Sequence, residues 1–401
     1  MTTSEPDSLI KALSEAQDQL LAISTLTNNT QHDFNLDELL QFYLKRTQEI
    51  LGADAVFILY QGQSDNFLTT IEEIRLPYVN ARLDWKEFQL CGYLANMPFY
   101  ALSRFVEDNA RIALGFSVDT PQESLNPTIK LAAAIIDQAV VQISNILLHD
   151  KLIEQTRLQA ELDAAREMQL SLLPKGITIA DLPKLDIAVH FCPARATGGD
   201  FYDYAIIDKG FGFTVGDIAG KGLPATLLMA ITLNSIRAKA AFLPNSSPEK
   251  ILTRVNQDLY SDFTQASAFV TIFSGYYSPA EEKIFYANAG HSPVIYCAAN
   301  GTVELLEADG PALGVLKESL STNQQLNFRS GDLLVIGTDG FSEAENVDGK
   351  FFGYENLLNK IDRLHQRSAE EIKNELVAAI NTFAGDKPQS DDQTLLVIKK
   401  L

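Results

Sequence analysis

Between Leu9 and Ile23, and again between Leu36 and Leu51, apolar residues recur at steps of three and four, which predicts two amphipathic helices. Strand-like runs follow at Ala55-Val56-Phe57-Ile58-Leu59-Tyr60, Phe99 to Phe105 and Arg111 to Val118, with Glu107-Asp108-Asn109 as a hairpin connection between the last two. From Pro127 to Leu173 the pattern is helical, with no glycine and no internal proline. Leu148, Leu152, Gln155, Leu158, Leu162, Ala165, Gln169 and Leu172 mark alternating three- and four-residue steps, the seam of a short coiled coil that its two glutamines weaken. The plainer alternative is a single helix lying on its own domain. Pro174 ends the helix and Lys175-Gly176 begins a new unit.

Beyond Pro174 short strands dominate: Asp186 to Phe191, Gly212 to Val215, Ala268 to Tyr277, Lys283 to Ala287, Val294 to Cys297, Leu333 to Ile336 and Thr394 to Lys399. Helices are expected over Leu223 to Ala241, Pro248 to Phe263 and Ala369 to Phe383. Strands that follow one another, with helices grouped, predict an α+β fold of antiparallel sheets covered by helices. At 401 residues, two domains are the natural reading. The expected division is an N-terminal helix or arm over 1–19, a domain over 20–145, a helical linker over 146–173 and a second domain over 174–401.

Composition narrows the function. A net charge of −20 repels nucleic acid and anionic membranes. No apolar run is read as long enough to span a bilayer, and the acidic, polar start does not resemble a signal peptide. Cys91, Cys192 and Cys297 are widely spaced and form no CxxC pair, so they read as small buried hydrophobes. A cytoplasmic protein is expected.

Four motifs each place aspartate beside glycine at the end of a strand-like run: Gly198-Gly199-Asp200-Phe201-Tyr202-Asp203, Val215-Gly216-Asp217-Ile218-Ala219-Gly220-Lys221-Gly222, Gly337-Thr338-Asp339-Gly340-Phe341 and Ser390-Asp391-Asp392-Gln393-Thr394. One such motif is an ordinary turn. Four of them gather carboxylates that repel unless cations neutralise them. Oxygen-only ligands select Mg²⁺ or Mn²⁺, and two such ions activate water against phosphorus without a nucleophilic side chain.

The order GGDFYD, VGDIAGKG, NAGH, DGPALG, GTDG and SDDQT resembles the SpoIIE-type branch of the PPM metal-dependent protein phosphatases, over about residues 166 to 401. Ala165-Arg166-Glu167-Met168-Gln169 with Leu172-Leu173-Pro174 is similar to the helix that leads into that family's domain. The resemblance implies an αββα sandwich and a serine/threonine phosphatase holding two Mn²⁺ or Mg²⁺ ions. Carried over by motif, Asp217 bridges both ions, Ile218 lends its backbone carbonyl, Asp339 and Asp391 complete the site, and Asp200 holds a metal-bound water or a further ion. Asp392 falls where relatives vary, and Asp203 reads as a structural turn residue.

Eukaryotic relatives carry a histidine just after the bridging aspartate, whereas this chain has Ile218-Ala219-Gly220, so the proton donor is unassigned. His291 reads as a structural histidine in a turn. Arg195 is a candidate for the substrate phosphate through its planar fork. Relatives of this branch act on a phosphoserine of an anti-sigma-factor antagonist of the STAS type, which the resemblance makes the leading substrate. The N-terminal part resembles a GAF-type sensor domain, and the leucine seam predicts a homodimer. Two other readings are a phosphatase-like binding module without catalysis, which the complete aspartate set opposes, and a GGDEF-type nucleotide cyclase, whose glutamate is replaced by Phe201.

Overall fold

Asn35 starts the first helix because its side chain accepts the Glu38 N–H while Glu38 reaches back to the Asn35 N–H, a reciprocal cap that satisfies two donors a helix start leaves open. That helix, α1 (Leu36–Leu51), ends where Gly52 takes the left-handed φ of 58°. The structure, a computed structural model, describes residues 35–62, 65–70, 89–94, 97–107, 110–117, 126–175, 184–207, 210–242, 247–318 and 321–401. The helix expected from Leu9 to Ile23 and the arm over 1–19 lie outside the described residues. The chain divides into two units, Met1–Arg157 and Leu158–Leu401.

In the first unit, strands β1 (Ala55–Gln61), β2 (Asp65–Thr69), β3 (Gln89–Leu94), β4 (Met97–Phe105) and β5 (Arg111–Ser117) form one antiparallel sheet in the order β2-β1-β5-β4-β3. Helix α1 lays Leu39, Leu40, Tyr43 and Leu44 into its core, and helix α2 (Asn126–Leu172) adds Ala132, Ile135, Ile136, Ala139 and Ile143 at helical spacing. By length and composition alone α2 is apolar enough to cross a membrane, which corrects the expectation that no run reaches that length. Its buried stripe is used by the core of this unit.

The expected leucine seam divides along α2. Leu148, Leu152 and Leu158 are exposed, whereas Gln169 and Leu172 turn into the second unit. Gln169 is therefore not a seam position open to a partner.

The second unit stacks two five-stranded antiparallel sheets. One contains β7 (Phe201–Ile207), β8 (Gly210–Ile218), β9 (Val270–Ser278), β10 (Lys283–Ala289) and β13 (Gln324–Asn327), in the order β13-β10-β9-β8-β7. The other contains β6 (Leu185–Cys192), β11 (Val294–Cys297), β12 (Val303–Leu306), β14 (Leu333–Gly337) and β15 (Gln393–Lys400), in the order β12-β11-β14-β15-β6. Between them lies a core in which Phe211, Phe213, Phe273 and Tyr286 meet Leu334, Ile336, Leu396 and Ile398. Helices α3 (Leu223–Phe242) and α4 (Pro248–Ala266) cover the outer face of the first sheet through Met229, Leu233, Leu252 and Val255. A short helix α5 (Asp339–Ser342) precedes α6 (Gly353–Leu364) and α7 (Ala369–Ala384), which cover the second sheet through Leu357, Ile361, Ile372 and Leu376. Each strand thus alternates between an inter-sheet face and a helix face, which produces the αββα sandwich.

Candidate functional site

The sandwich brings strand ends from both sheets to one place. Asp200 immediately precedes β7 and Asp217 is the penultimate residue of β8, with Phe201 paired to Gly216 across the ladder. Asp339 opens α5 just after β14, and Asp391-Asp392 lead into β15, with Gly337 paired to Leu395. The Thr338 N–H donates to the Thr394 carbonyl, which fastens these two segments together.

Glycine is required where the segments meet. A Cβ on Gly198 would strike the Asp392 carboxylate, and one on Gly340 would strike the Asp392 carbonyl. Gly199 lies against the Ile218 carbonyl and its own carbonyl accepts the Ile218 N–H at 3.3 Å. The backbones can approach this closely only without side chains.

Asp200 is buried, and its Oδ2 accepts the hydroxyls of Thr338 and Thr394, each at 2.7 Å. Burial first, then the charge of Asp217, hold its carboxyl well above the ordinary carboxylate range, against the two threonine hydrogen bonds. Burial, followed by the charges of Asp339, Asp391 and Asp392, pushes Asp217 up to about 7, while a side-chain hydrogen bond with Asp200 acts the other way. Asp339 is raised by burial and then by Asp391 and Glu343. Asp200, Asp217, Asp339, Asp391 and Asp392 therefore feel one another, with Glu343 acting on Asp339 as well, while Lys221, 3.1 Å from Asp391, lowers Asp339.

Oxygen-only donors with surplus negative charge fit hard divalent cations in chemistry. Among the described residues, no three carboxylate, imidazole or thiol groups converge closely enough to enclose one ion. The donor set matches such an ion by composition; Asp200–Asp217 and Asp391–Lys221 pair with each other instead.

The other sequence candidates fall in distinct places. Asp392 accepts the main-chain N–H groups of Ala194 and Gly199, each at 2.8 Å, and of Asp200 at 3.4 Å. Its oxygens are occupied in shaping the loop. Arg195, one residue after Ala194, is exposed and makes no ion pair among the described residues. Asp203 sits inside β7, not in a turn, and receives Arg237 on both oxygens at 2.8 and 2.9 Å. His291 is buried, with Nδ1 3.2 Å from Thr271 Oγ1, and burial lowers its ring to about 4. It is not among the groups acting on the aspartates.

Sequence reasoning gave no role to Thr338, Thr394 or Lys221, although all three lie inside motifs it singled out. Gly220 and Gly222, at φ of 123° and 72°, flank Lys221 and let the loop turn back toward Asp391. Gln169 was assigned to a helix seam; its amide instead meets Gly198.

Comparison with known proteins bears on the fold that carries these residues. Residues 207–400 match the family model described as Stage II sporulation protein E (SpoIIE). Protein IcfG of Synechocystis sp. is 26% identical over 266 residues, covering 59% of this chain and 41% of that protein. Phosphoserine phosphatase RsbU of Bacillus subtilis is 27% identical over 249 residues, covering 61% of this chain and 72% of that protein. The chain thus spans less than half the length of the first of these relatives. Among solved structures, the SiaA-PP2C domain of Pseudomonas aeruginosa superposes with a TM-score of 0.56 at 22% identity, covering 61% of this chain and 98% of that domain.

Proposed function

We propose that this chain, which carries a SpoIIE-family domain with the PPM phosphatase fold, is a metal-dependent serine/threonine protein phosphatase. The observation that carries the reading is the meeting of Asp200, Asp217, Asp339 and Asp391 where strand ends of both sheets adjoin. In this reading Asp200, Asp217, Asp339, Asp391 and the Ile218 carbonyl would hold Mn²⁺ or Mg²⁺, two ions in all. Such ions, when bound, neutralise a phosphoryl group and make water nucleophilic.

The chain's own residues supply the rest. Thr338 and Thr394 both donate to Oδ2 of Asp200, and the Asp200 carboxyl also shares a side-chain hydrogen bond with Asp217. Asp392 shapes the loop that carries both Arg195 and Asp200. Arg195, exposed on that loop, receives the substrate phosphate through its guanidinium.

The substrate in this reading is a phosphoserine on a regulatory protein, with an anti-sigma-factor antagonist of the STAS type as the leading candidate. RsbU, similar in sequence, is named a phosphoserine phosphatase. The N-terminal residues 20–145 serve as a GAF-like sensor, the protein works in the cytoplasm, and exposed leucines on α2 pair two copies. The test is phosphate release from a phosphoserine protein with Mn²⁺ or Mg²⁺, with chelator, and with Asp217→Asn. Activity should vanish with chelator and fall by about a thousandfold or more in the variant. Full turnover in excess chelator would sink the mechanism.

A further inference from the structure

Thr271 is the residue that β9 places opposite Asp217 in the ladder, so the two side chains stand on one face of the sheet, about 5 Å apart at Cβ. That face looks into the sandwich. Val215 and Phe273, each two residues along its strand, lie in the core between the sheets.

The Thr271 hydroxyl meets His291, with Oγ1 3.2 Å from Nδ1 of a ring that is 3% exposed. His291 sits in the connection from β10 of the first sheet to β11 of the second, and its own place is closely fixed. The His291 N–H donates to Asn288 Oδ1 at 2.8 Å, and the buried Asn288 amide donates in turn to the Leu306 carbonyl of β12 at 3.3 Å. Between them Gly290 takes a φ of 68° and lies so close to Ala312 that a Cβ would strike its main-chain nitrogen. Asn288-Ala289-Gly290-His291 is thus a rigid mount anchored on both sheets. The Gly337 carbonyl, two residues before Asp339, also acts on the ring, against the effect of burial. Nε2 makes no close hydrogen bond among the described residues, so the Thr271 contact is the ring's directional one.

We infer that His291 is a positioning residue for Asp217, acting through Thr271 to fix the end of β8 where it meets the carboxylates of the other sheet. Strand ends open most readily where their ladder stops, and β8 stops one residue beyond Asp217. A side-chain bond from the connection between the sheets removes that freedom at the residue beside the carboxylate. His291 is not among the charges that act on the aspartates, so its contribution is position. This rests on the reading of the aspartate cluster as a cation site.

The test uses the full chain as wild type, Thr271→Val, His291→Gln and the combination of the two, with Thr214→Val as control. Thr214 Oγ1 lies 3.1 Å from Ser274 Oγ on the same β8–β9 ladder, three residues from Asp217, so its loss removes a comparable bond away from the site. Mn²⁺ dissociation constants are read from free Mn²⁺ by electron paramagnetic resonance, and stability by urea unfolding. Thr271→Val and His291→Gln should each bind Mn²⁺ about tenfold more weakly while folded, the equivalent of roughly one buried hydrogen bond. The combination should bind no more weakly than the worse single variant, because both break the same contact. Thr214→Val should lose as much stability as Thr271→Val yet stay within twofold of wild type in Mn²⁺ affinity. Wild-type affinity in either folded single variant, losses that add in the combination, or an equal loss in Thr214→Val overturns the inference and leaves the cation site standing. If His291→Gln does not fold, Thr271→Val against Thr214→Val still decides it. Absence of Mn²⁺ binding by wild type overturns both the inference and the cation site.

Discussion

The Lys221 ammonium lies 3.1 Å from Asp391 Oδ2 and 3.0 Å from the Ser390 carbonyl, so the glycine-flanked loop after β8 places a cation of its own beside a proposed metal ligand. Both partners are nearly half exposed, which limits the worth of the pair to less than about 1 kcal/mol. Its consequence is competition. Lys221→Gln should tighten Mn²⁺ binding about two- to fivefold at low ionic strength, and the gain should shrink as salt is raised. Titration calorimetry at two salt concentrations decides it; weaker binding in the variant would mean that Lys221 assists the ion.

Asp392 is expected to behave as a structural carboxylate. Its oxygens accept three main-chain donors from the loop at 194–200. Asp392→Ala leaves the N–H groups of Ala194 and Gly199 without this acceptor and should lower stability by about 2–4 kcal/mol in urea unfolding, with the slope unchanged. A loss below about 0.5 kcal/mol would show that water takes over those donors.

His291 predicts the sign of one pH effect. Burial lowers its ring to about 4 from 6.5, so the folded state resists a proton that the unfolded state accepts. The contribution is intact above pH 6.5 and is lost as pH falls toward 4, by about 3 kcal/mol at most. Asp217, raised to about 7, works oppositely: its folded form keeps a proton that the unfolded chain gives up, so its share of stability grows as pH falls. The two are separated by difference. The stability gap between wild type and His291→Gln should narrow steadily from pH 7 to pH 4.5, and a gap that is constant or widens would refute the assignment.

Assembly can be tested on α2, where Leu152 and Leu158 are 60% and 58% exposed. Leu152→Asp with Leu158→Asp should convert a dimer to monomers by light scattering. Persistence of the dimer in that double variant would place the contact elsewhere.

Much of this organisation was legible in the chain. Helix α1 was readable to the residue from its apolar stripe, and the structure adds the reciprocal Asn35–Glu38 cap that fixes its start. The aspartates were legible because each ends an apolar run beside glycine. Strand β7 was not: it begins inside the GGDFYD motif, its outer face carries Asp203, and only the bidentate pairing with Arg237 explains that charge. Short edge strands β12 and β13, four residues each, carry too few positions to show a period. Gln169 was misplaced for a reason of the same kind. Helical spacing says which residues share a face, and it cannot say whether that face meets another copy or the chain's own loop.

The position of β15 has a consequence for synthesis of the protein. This strand joins β14 to β6 in the interior of its sheet, pairing Lys400 with Leu185 across the whole length of the unit. A nascent chain that has passed residue 342 already carries Asp200, Asp217 and Asp339, yet its second sheet is split in two and Asp391 is missing. Local helices can form while the ribosome is still adding residues, but closure waits for pairing between segments more than two hundred residues apart. The carboxylates consequently meet only once β15 has been made and has paired with β14 and β6.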